Sequence, residues 1–124
     1  MNDLIEIKYG SGCMVIDLQN LFYCDNPCEP DSDTIHYSTL QRVAKLFKFF
    51  YQEEWNNKES IQRCFDWLDD EKKKYELVLA VESEWAERAK KGTAAYEKHK
   101  CEANACSRYI KLFNTAIRIL KEGR

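Results

Sequence analysis

Cysteine and histidine are the side chains in this chain best suited to chemistry, because both can bind zinc. Cys24 and Cys28 lie four residues apart around a proline, and His99 and Cys101 lie close together on the last predicted helix. Four such ligands could form a tetrahedral zinc site if the two segments met. However, side chains two residues apart point to nearly opposite sides of a helix. We therefore expect free thiols and no metal, with His99 as a buried, hydrogen-bonded core residue.

Acidic side chains are the second candidate, since a magnesium-dependent nucleotide hydrolase holds its metal between carboxylates. Seven of them lie on the middle helices: Glu53, Glu54, Glu59, Asp66, Asp69, Asp70 and Glu71. Helical nucleotide pyrophosphohydrolases carry a paired E-E-x-x-E motif. Here Glu53 and Glu54 are followed by Trp55 and two asparagines, so the third carboxylate is missing. A small metal-dependent hydrolase remains an alternative, beside a Cys/His zinc-binding structural module.

Nucleophilic catalysis has little support in the sequence. The two histidines, His36 and His99, lie near no Ser or Cys in a turn of the G-x-S-x-G type. The Gly10-x-Gly12 pair is too short for a phosphate-binding fingerprint and precedes a strand. We predict that the protein is not an enzyme and uses no cofactor.

A polar strip on the last helix is the best candidate for binding. Its members are spaced three and four residues apart and are Tyr96, Lys100, Asn104, Arg108 and Lys111. One aromatic ring, one amide and three cations on a rigid strip could hold a phosphate-bearing ligand or an acidic partner surface. Arg88, Lys90 and Lys91 would extend the same basic patch. The alternative is that the strip is only the solvated face of an amphipathic helix.

The helix that carries this strip is predicted over 93–121, with Gly92 ending the preceding helix and Thr93 as N-cap. Its apolar residues form one stripe: Ala103, Cys106, Ile110, Phe113, Ile117 and Leu120. Tyr109 and Ala116 lie beside this stripe, and Leu112 and Ile119 lie on its flank. This arc is wider than a one-sided amphipathic helix requires. The helix must therefore be covered from more than one direction, by other helices or by another copy.

The remaining elements complete a single α+β domain of 124 residues: an N-terminal β-hairpin and about three helices. Alternating apolar and polar residues predict the hairpin over 1–20. A proline-containing acidic loop is predicted over 25–37. Ser38 with Gln41 fits a capping box, which predicts that a helix over 39–56 begins there. A helix over 58–91 is predicted to be continuous, because no Gly or Pro interrupts it. It would be roughly 50 Å long. A projecting helix and a lone hairpin both favour a homo-oligomer.

Charge and hydropathy limit the possible partners. The formal net charge is −2, so no overall field draws in nucleic acid or an anionic membrane. No stretch approaches the length of a membrane span, and the N-terminus lacks the pattern of a signal peptide. We therefore expect a cytoplasmic protein with no membrane contact and no general nucleic-acid binding.

In size, cysteine content and hairpin-plus-helices layout, the chain resembles small accessory proteins of bacterial phages and mobile elements. The resemblance implies a protein that acts by binding. We therefore expect a non-enzymatic, self-associating protein that blocks a host protein or sequesters a small anionic, nucleotide-like molecule through the polar strip.

Overall fold

The structure is a computed structural model that describes residues 4–23 and 32–122, with side chains from residue 37 onward in the second range. Its elements are β1 (Leu4–Tyr9), β2 (Gly12–Asp17), α1 (Leu18–Phe22), α2 (Ser32–Gln52), α3 (Glu54–Arg88) and α4 (Ala94–Glu122). The α+β class with an N-terminal hairpin is confirmed. The described part of the chain has four helices rather than about three, because a single short turn of helix, α1, follows β2 directly.

The hairpin is antiparallel, with Ile5 opposite Ile16 and Tyr9 opposite Gly12. Gly10 has a φ of +54°, a conformation that glycine adopts without steric cost. Ile5 and Ile7 are fully buried, as their alternation with polar residues predicts. The hairpin thus presents one apolar face to the helices.

Several groups on the free edge of β1 are hydrogen-bonded to side chains of Glu53 and of the first third of α3. Arg63 donates a hydrogen bond to the carbonyl of Leu4 at 3.0 Å. The amide of Gly10 donates to a carboxylate oxygen of Glu53 at 2.6 Å. Because these contacts lie within one chain, the hairpin needs no second copy to cover this edge. The lone hairpin is therefore no longer an argument for a homo-oligomer.

Asn57 makes the most extensive of these contacts and is fully buried. Its side-chain oxygen accepts from the amide of Lys8, and its side-chain nitrogen donates to the carbonyl of Lys8, both at 2.7 Å. The same nitrogen also lies 3.3 Å from the carbonyl of Phe49 and 3.2 Å from that of Glu53. The side-chain amide therefore pairs with β1 much as a neighbouring strand would. The predicted helix end at residue 56 is wrong, because this asparagine lies inside α3 as a tertiary contact.

The second helix also begins earlier than predicted. The loop was expected over 25–37, but α2 starts at Ser32; residues 24–31 lie outside the described range. Ser38 is an exposed residue within the helix and not its cap. The reason is that the S-x-x-Q spacing also occurs on the solvent side of a helix, where serine is tolerated.

Helix α3 is continuous over 35 residues, as the uninterrupted sequence predicts. Its first half packs into the main core through Ile61, Cys64, Trp67 and Leu68. Helix α4 lies at the centre of that core, between α2 and α3. Leu112 is buried and Ile119 is half-buried against the core, so most of the wide apolar arc of α4 is covered within the chain.

The second half of α3 and the first half of α4 lie outside this core. Beyond Tyr75, the buried residue that α3 contributes is Ala86. Four large apolar side chains of this part are exposed: Leu77 by 72%, Val81 by 52%, Trp85 by 51% and Val78 by 37%. These parts of the two helices therefore form an antiparallel pair whose outer side carries exposed apolar side chains.

Among the described cysteines, Cys13, Cys64 and Cys106 are free, and the last two are buried as predicted for small core residues. The expectation of free thiols is wrong for Cys101, which is disulfide-bonded. Disulfide formation depends on which sulfur atoms the fold brings together, and spacing along the chain does not reveal this.

Burial raises the pKa of the Cys64 thiol from 9.0 to about 12. Above about pH 9 the thiol ionises in the unfolded chain but stays protonated in the native state. Its contribution to the free energy of unfolding is therefore complete below pH 9 and is progressively lost between pH 9 and 12. We expect wild type to lose stability faster than Cys64→Ala between pH 8 and 10, measured by urea unfolding. Because the thiolate is the nucleophile, iodoacetamide at pH 8 should modify Cys13 and leave Cys64 intact. Equal pH slopes in both proteins would contradict the assignment.

Candidate functional site

The connection between α3 and α4 is held by a small set of local hydrogen bonds. Gly92 has a φ of +88° within this connection, but it does not end α3 as predicted, because the helix ends at Arg88 with Ala89 as its C-cap. The Thr93 hydroxyl oxygen accepts from the amide of Tyr96 at 3.2 Å, so Thr93 caps α4 as predicted. The same hydroxyl donates to the carbonyl of Lys90 at 2.6 Å. These bonds fix the first turn of α4 relative to the end of α3.

A groove of about 390 Å³ lies between the two helices next to this connection. We call it the α3–α4 groove. It is lined by Ser83, Ala86, Glu87, Ala89, Lys91, Tyr96, Lys100 and Ala103. Ala86 and Ala103 are buried and lie on facing helices. Their small side chains leave the space that the groove occupies, and its volume suits a small molecule.

The polar groups of the groove favour an anion. Lys91 and Lys100 contribute two ammonium groups, against the one carboxylate of Glu87. Hydroxyls of Ser83 and Tyr96 add hydrogen-bond donors, and the ring of Tyr96 adds a flat apolar surface. The set can therefore bind a negatively charged group beside a planar one. It contains no nucleophile paired with a base, so it offers no complete catalytic arrangement among the described side chains.

The structure divides the predicted polar strip into two parts. Tyr96 and Lys100 line the groove, whereas Asn104, Arg108 and Lys111 are not among its lining residues. Asn104 and Lys111 are exposed further along α4, and Arg108 is half-buried. Arg88, Lys90 and Lys91 were proposed to extend the basic patch, and of these three Lys91 lines the groove.

The contribution of α3 to the groove was missed from sequence. Ser83 and Ala86 are small, and Glu87 is one of many acidic residues on α3, so none of the three stands out in the sequence. The signal that was present is the spacing of Ser83 and Ala86, three apart on a helix that is otherwise rich in large side chains. Small residues at this spacing often mark the line along which two helices approach closely.

His99 lies on a different side of the helix pair and forms no part of the groove lining. Its Nδ1 atom is hydrogen-bonded to Oε2 of Glu82 at 2.5 Å, and its ring stacks against Trp85 with centroids 6.1 Å apart. The predicted hydrogen bond is therefore present, but the side chain is 27% exposed and not fully buried. The contacts tie α4 to α3.

Three of the carboxylates considered for a metal site, Asp66, Asp69 and Glu71, each have a protein partner of their own. Tyr23 donates to Glu71, and burial, followed by this hydrogen bond, raises the pKa of Tyr23. Lys73 pairs with Asp69 at 2.9 Å, and Gln62 donates to Asp66 at 3.0 Å. Within residues 4–23 and 37–122, no group of three or more His, Cys, Asp or Glu side chains is placed to hold a metal ion. Cys24, Cys28 and His36 lie outside the described side chains.

Comparisons of the chain with protein-family models, with curated proteins and with solved structures gave no match. None of the helices described here combines the length and apolarity that crossing a bilayer requires.

Proposed function

We propose that this protein is a non-enzymatic binding protein that sequesters a small anionic, nucleotide-like molecule in the α3–α4 groove. The observation that carries the proposal is the convergence of Lys91, Lys100 and Tyr96 around a space of about 390 Å³. A phosphate group would lie between the ammonium groups, and a base would lie against the tyrosine ring. A phage-type accessory role in the cytoplasm is part of this proposal.

The local hydrogen bonds beside the groove support this assignment. The groove lies where Gly92 and the Thr93 cap hold the two helices in a defined relation. A site that is already formed before binding loses less conformational entropy when the ligand enters. The two lysines come from separate elements, the connection and α4, so they can approach an anion from two directions.

Blocking a host protein is the second candidate function. The observation that favours it is the exposed apolar surface around Leu77, Val81 and Trp85, since surfaces of this kind commonly contact other proteins. The order of charges along this surface instead suits a second copy of this chain. We therefore keep the small-molecule function as the main proposal.

The proposal predicts that Lys100→Ala and Tyr96→Ala weaken binding of a nucleoside di- or triphosphate by roughly tenfold to a hundredfold, because each removes a direct contact to a charged or planar group. The measurement is isothermal titration with a panel of nucleotides, preceded by mass spectrometry of material released by heating the purified protein. Binding should weaken as salt is raised from 50 to 300 mM, since salt screens the lysines.

Lys111→Ala provides the matched control. It removes the same charge from the same helix, but at a position outside the groove lining. We expect it to bind as wild type does. If Lys111→Ala weakens binding as much as Lys100→Ala, the groove is not the site. If no nucleotide in the panel is released or bound, the sequestering function is wrong.

A further inference from the structure

The outer face of α3 carries a heptad pattern on a side that none of the other described elements covers. We define this outer face as Asp70, Lys74, Leu77, Val81, Glu84 and Arg88, which are spaced alternately four and three residues apart. All six side chains are exposed. Alternating spacings of four and three place residues on one stripe that faces a partner helix in a coiled coil. The stripe extends for roughly 27 Å.

The order of residues on the outer face is complementary to itself when reversed. Read in one direction the types are acid, base, apolar, apolar, acid and base. Consider an antiparallel pair of α3 helices centred between Leu77 and Val81. Leu77 of each copy would then lie opposite Val81 of the other copy. The same alignment places Lys74 opposite Glu84 of the other copy, and Asp70 opposite Arg88.

We propose that two copies of this chain pair through the outer face of α3, with the two helices antiparallel. The two-fold axis lies near residue 79, with Leu77 and Val81 at the centre and two charged layers on either side. Every charged layer is then attractive, and each occurs twice because of the symmetry. The partner is a second copy of this chain because the face complements its own sequence.

A parallel pair would give the opposite result. Each position would face its own copy, so Lys74 would meet a lysine and Glu84 a glutamate. Like charges at facing positions destabilise a coiled coil and set the orientation of its helices. The charge order thus favours the antiparallel arrangement.

The existing contacts of these side chains leave them available for this exchange. Glu84 and Arg88 form an ion pair within the helix at 2.6 Å, and Lys74 lies 3.4 Å from Glu71. The side chains of Lys74, Glu84 and Arg88 are 58%, 60% and 64% exposed. Exposed ion pairs contribute little to stability, so a partner helix can share or replace them.

The pairing goes beyond the proposed small-molecule function and uses different side chains. None of the six outer-face residues lines the α3–α4 groove. Failure of nucleotide binding therefore says nothing about pairing, and failure of pairing says nothing about the groove.

The test is a charge swap measured by sedimentation velocity of the full chain at several concentrations. Wild type should be dimeric at high micromolar concentration. Lys74→Glu should weaken dimerisation roughly tenfold, because two attractive pairs per dimer become repulsive, and Glu84→Lys should do the same. The double variant Lys74→Glu/Glu84→Lys should restore the wild-type dimer, and mixing the two single variants should give a heterodimer.

Leu77→Lys tests the centre of the face and should weaken dimerisation at least a hundredfold, because the apolar layers are lost. Lys98→Glu is the matched control for charge reversal, since Lys98 is exposed on α4 away from this face. Circular dichroism should show unchanged helix content for all variants. The proposal is overturned if wild type stays monomeric at high micromolar concentration, as it would if the face serves a different protein. It is also overturned if single reversals leave the dimer unchanged, or if the double variant does not restore it.

Discussion

Replacing Phe113 by alanine is expected to lower the free energy of unfolding by about 4 kcal/mol, the loss typical of a buried phenylalanine. Phe113 is fully buried on α4. Its ring lies 5.6 Å from that of Phe22 and 5.9 Å from that of Trp67 between centroids. Three tyrosines also contact it: Tyr23, Tyr75 and Tyr109. The truncation would therefore open a cavity at the point where α1, α3 and α4 meet.

Chemical unfolding followed by tryptophan fluorescence and circular dichroism measures this loss. Phe113→Leu should lose only about 1.5 kcal/mol, because most of the volume is kept. Trp55→Ala removes an even larger aromatic ring that is 90% exposed, and we expect it to change stability by less than about 0.5 kcal/mol. A similar loss for Trp55→Ala and Phe113→Ala would show that the aromatic cluster is not the main core.

Replacing Asn57 by leucine is expected to lower the free energy of unfolding by about 3 kcal/mol. Leucine has a similar size, so the change isolates the hydrogen bonds of the amide. The two bonds to the backbone of Lys8 would be lost, and these groups would remain partly buried without a partner. An unsatisfied buried polar group costs about 1–3 kcal/mol.

The neighbouring residue provides the control for this experiment. Asn56 is exposed and its side chain donates one hydrogen bond, to Glu53 at 3.1 Å. The free energy of unfolding of both variants is measured by urea titration. Asn56→Leu should change it by less than about 1 kcal/mol. Hydrogen exchange at the Lys8 amide should accelerate in Asn57→Leu and stay unchanged in Asn56→Leu. Unaltered exchange in both would refute the role of Asn57 as the partner of β1.

These two residues differ in how well the sequence reveals them. Phe113 belongs to an apolar stripe with helical spacing, and its burial follows directly from that periodicity. Asn57 sits in an Asn-Asn pair that resembles a helix end, and its neighbours on the chain give no sign of its partner. Lys8 is 49 residues away. A polar side chain is buried only where a distant segment offers matching groups, and that match depends on the complete fold.

The α3–α4 groove shows the same limit from the functional side. Tyr96 and Lys100 were predicted as binding residues, because charge and spacing on one helix are visible in the sequence. Their association with Ser83 and Glu87 depends on how α3 returns against α4 across Gly92. The sequence therefore suggested one wall of the groove and could not supply the other.

The sequence alone determines the α+β class, the hairpin, the long α3 and the apolar arc of α4, because periodicity, glycine positions and capping are local properties. The tertiary structure decided that Asn57 bonds to β1, that Leu112 is buried within the chain, and that Leu77 and Val81 on the outer face of α3 are exposed. The physical reason is that burial depends on which distant surfaces meet, and a pattern along one helix gives only the side that can be buried.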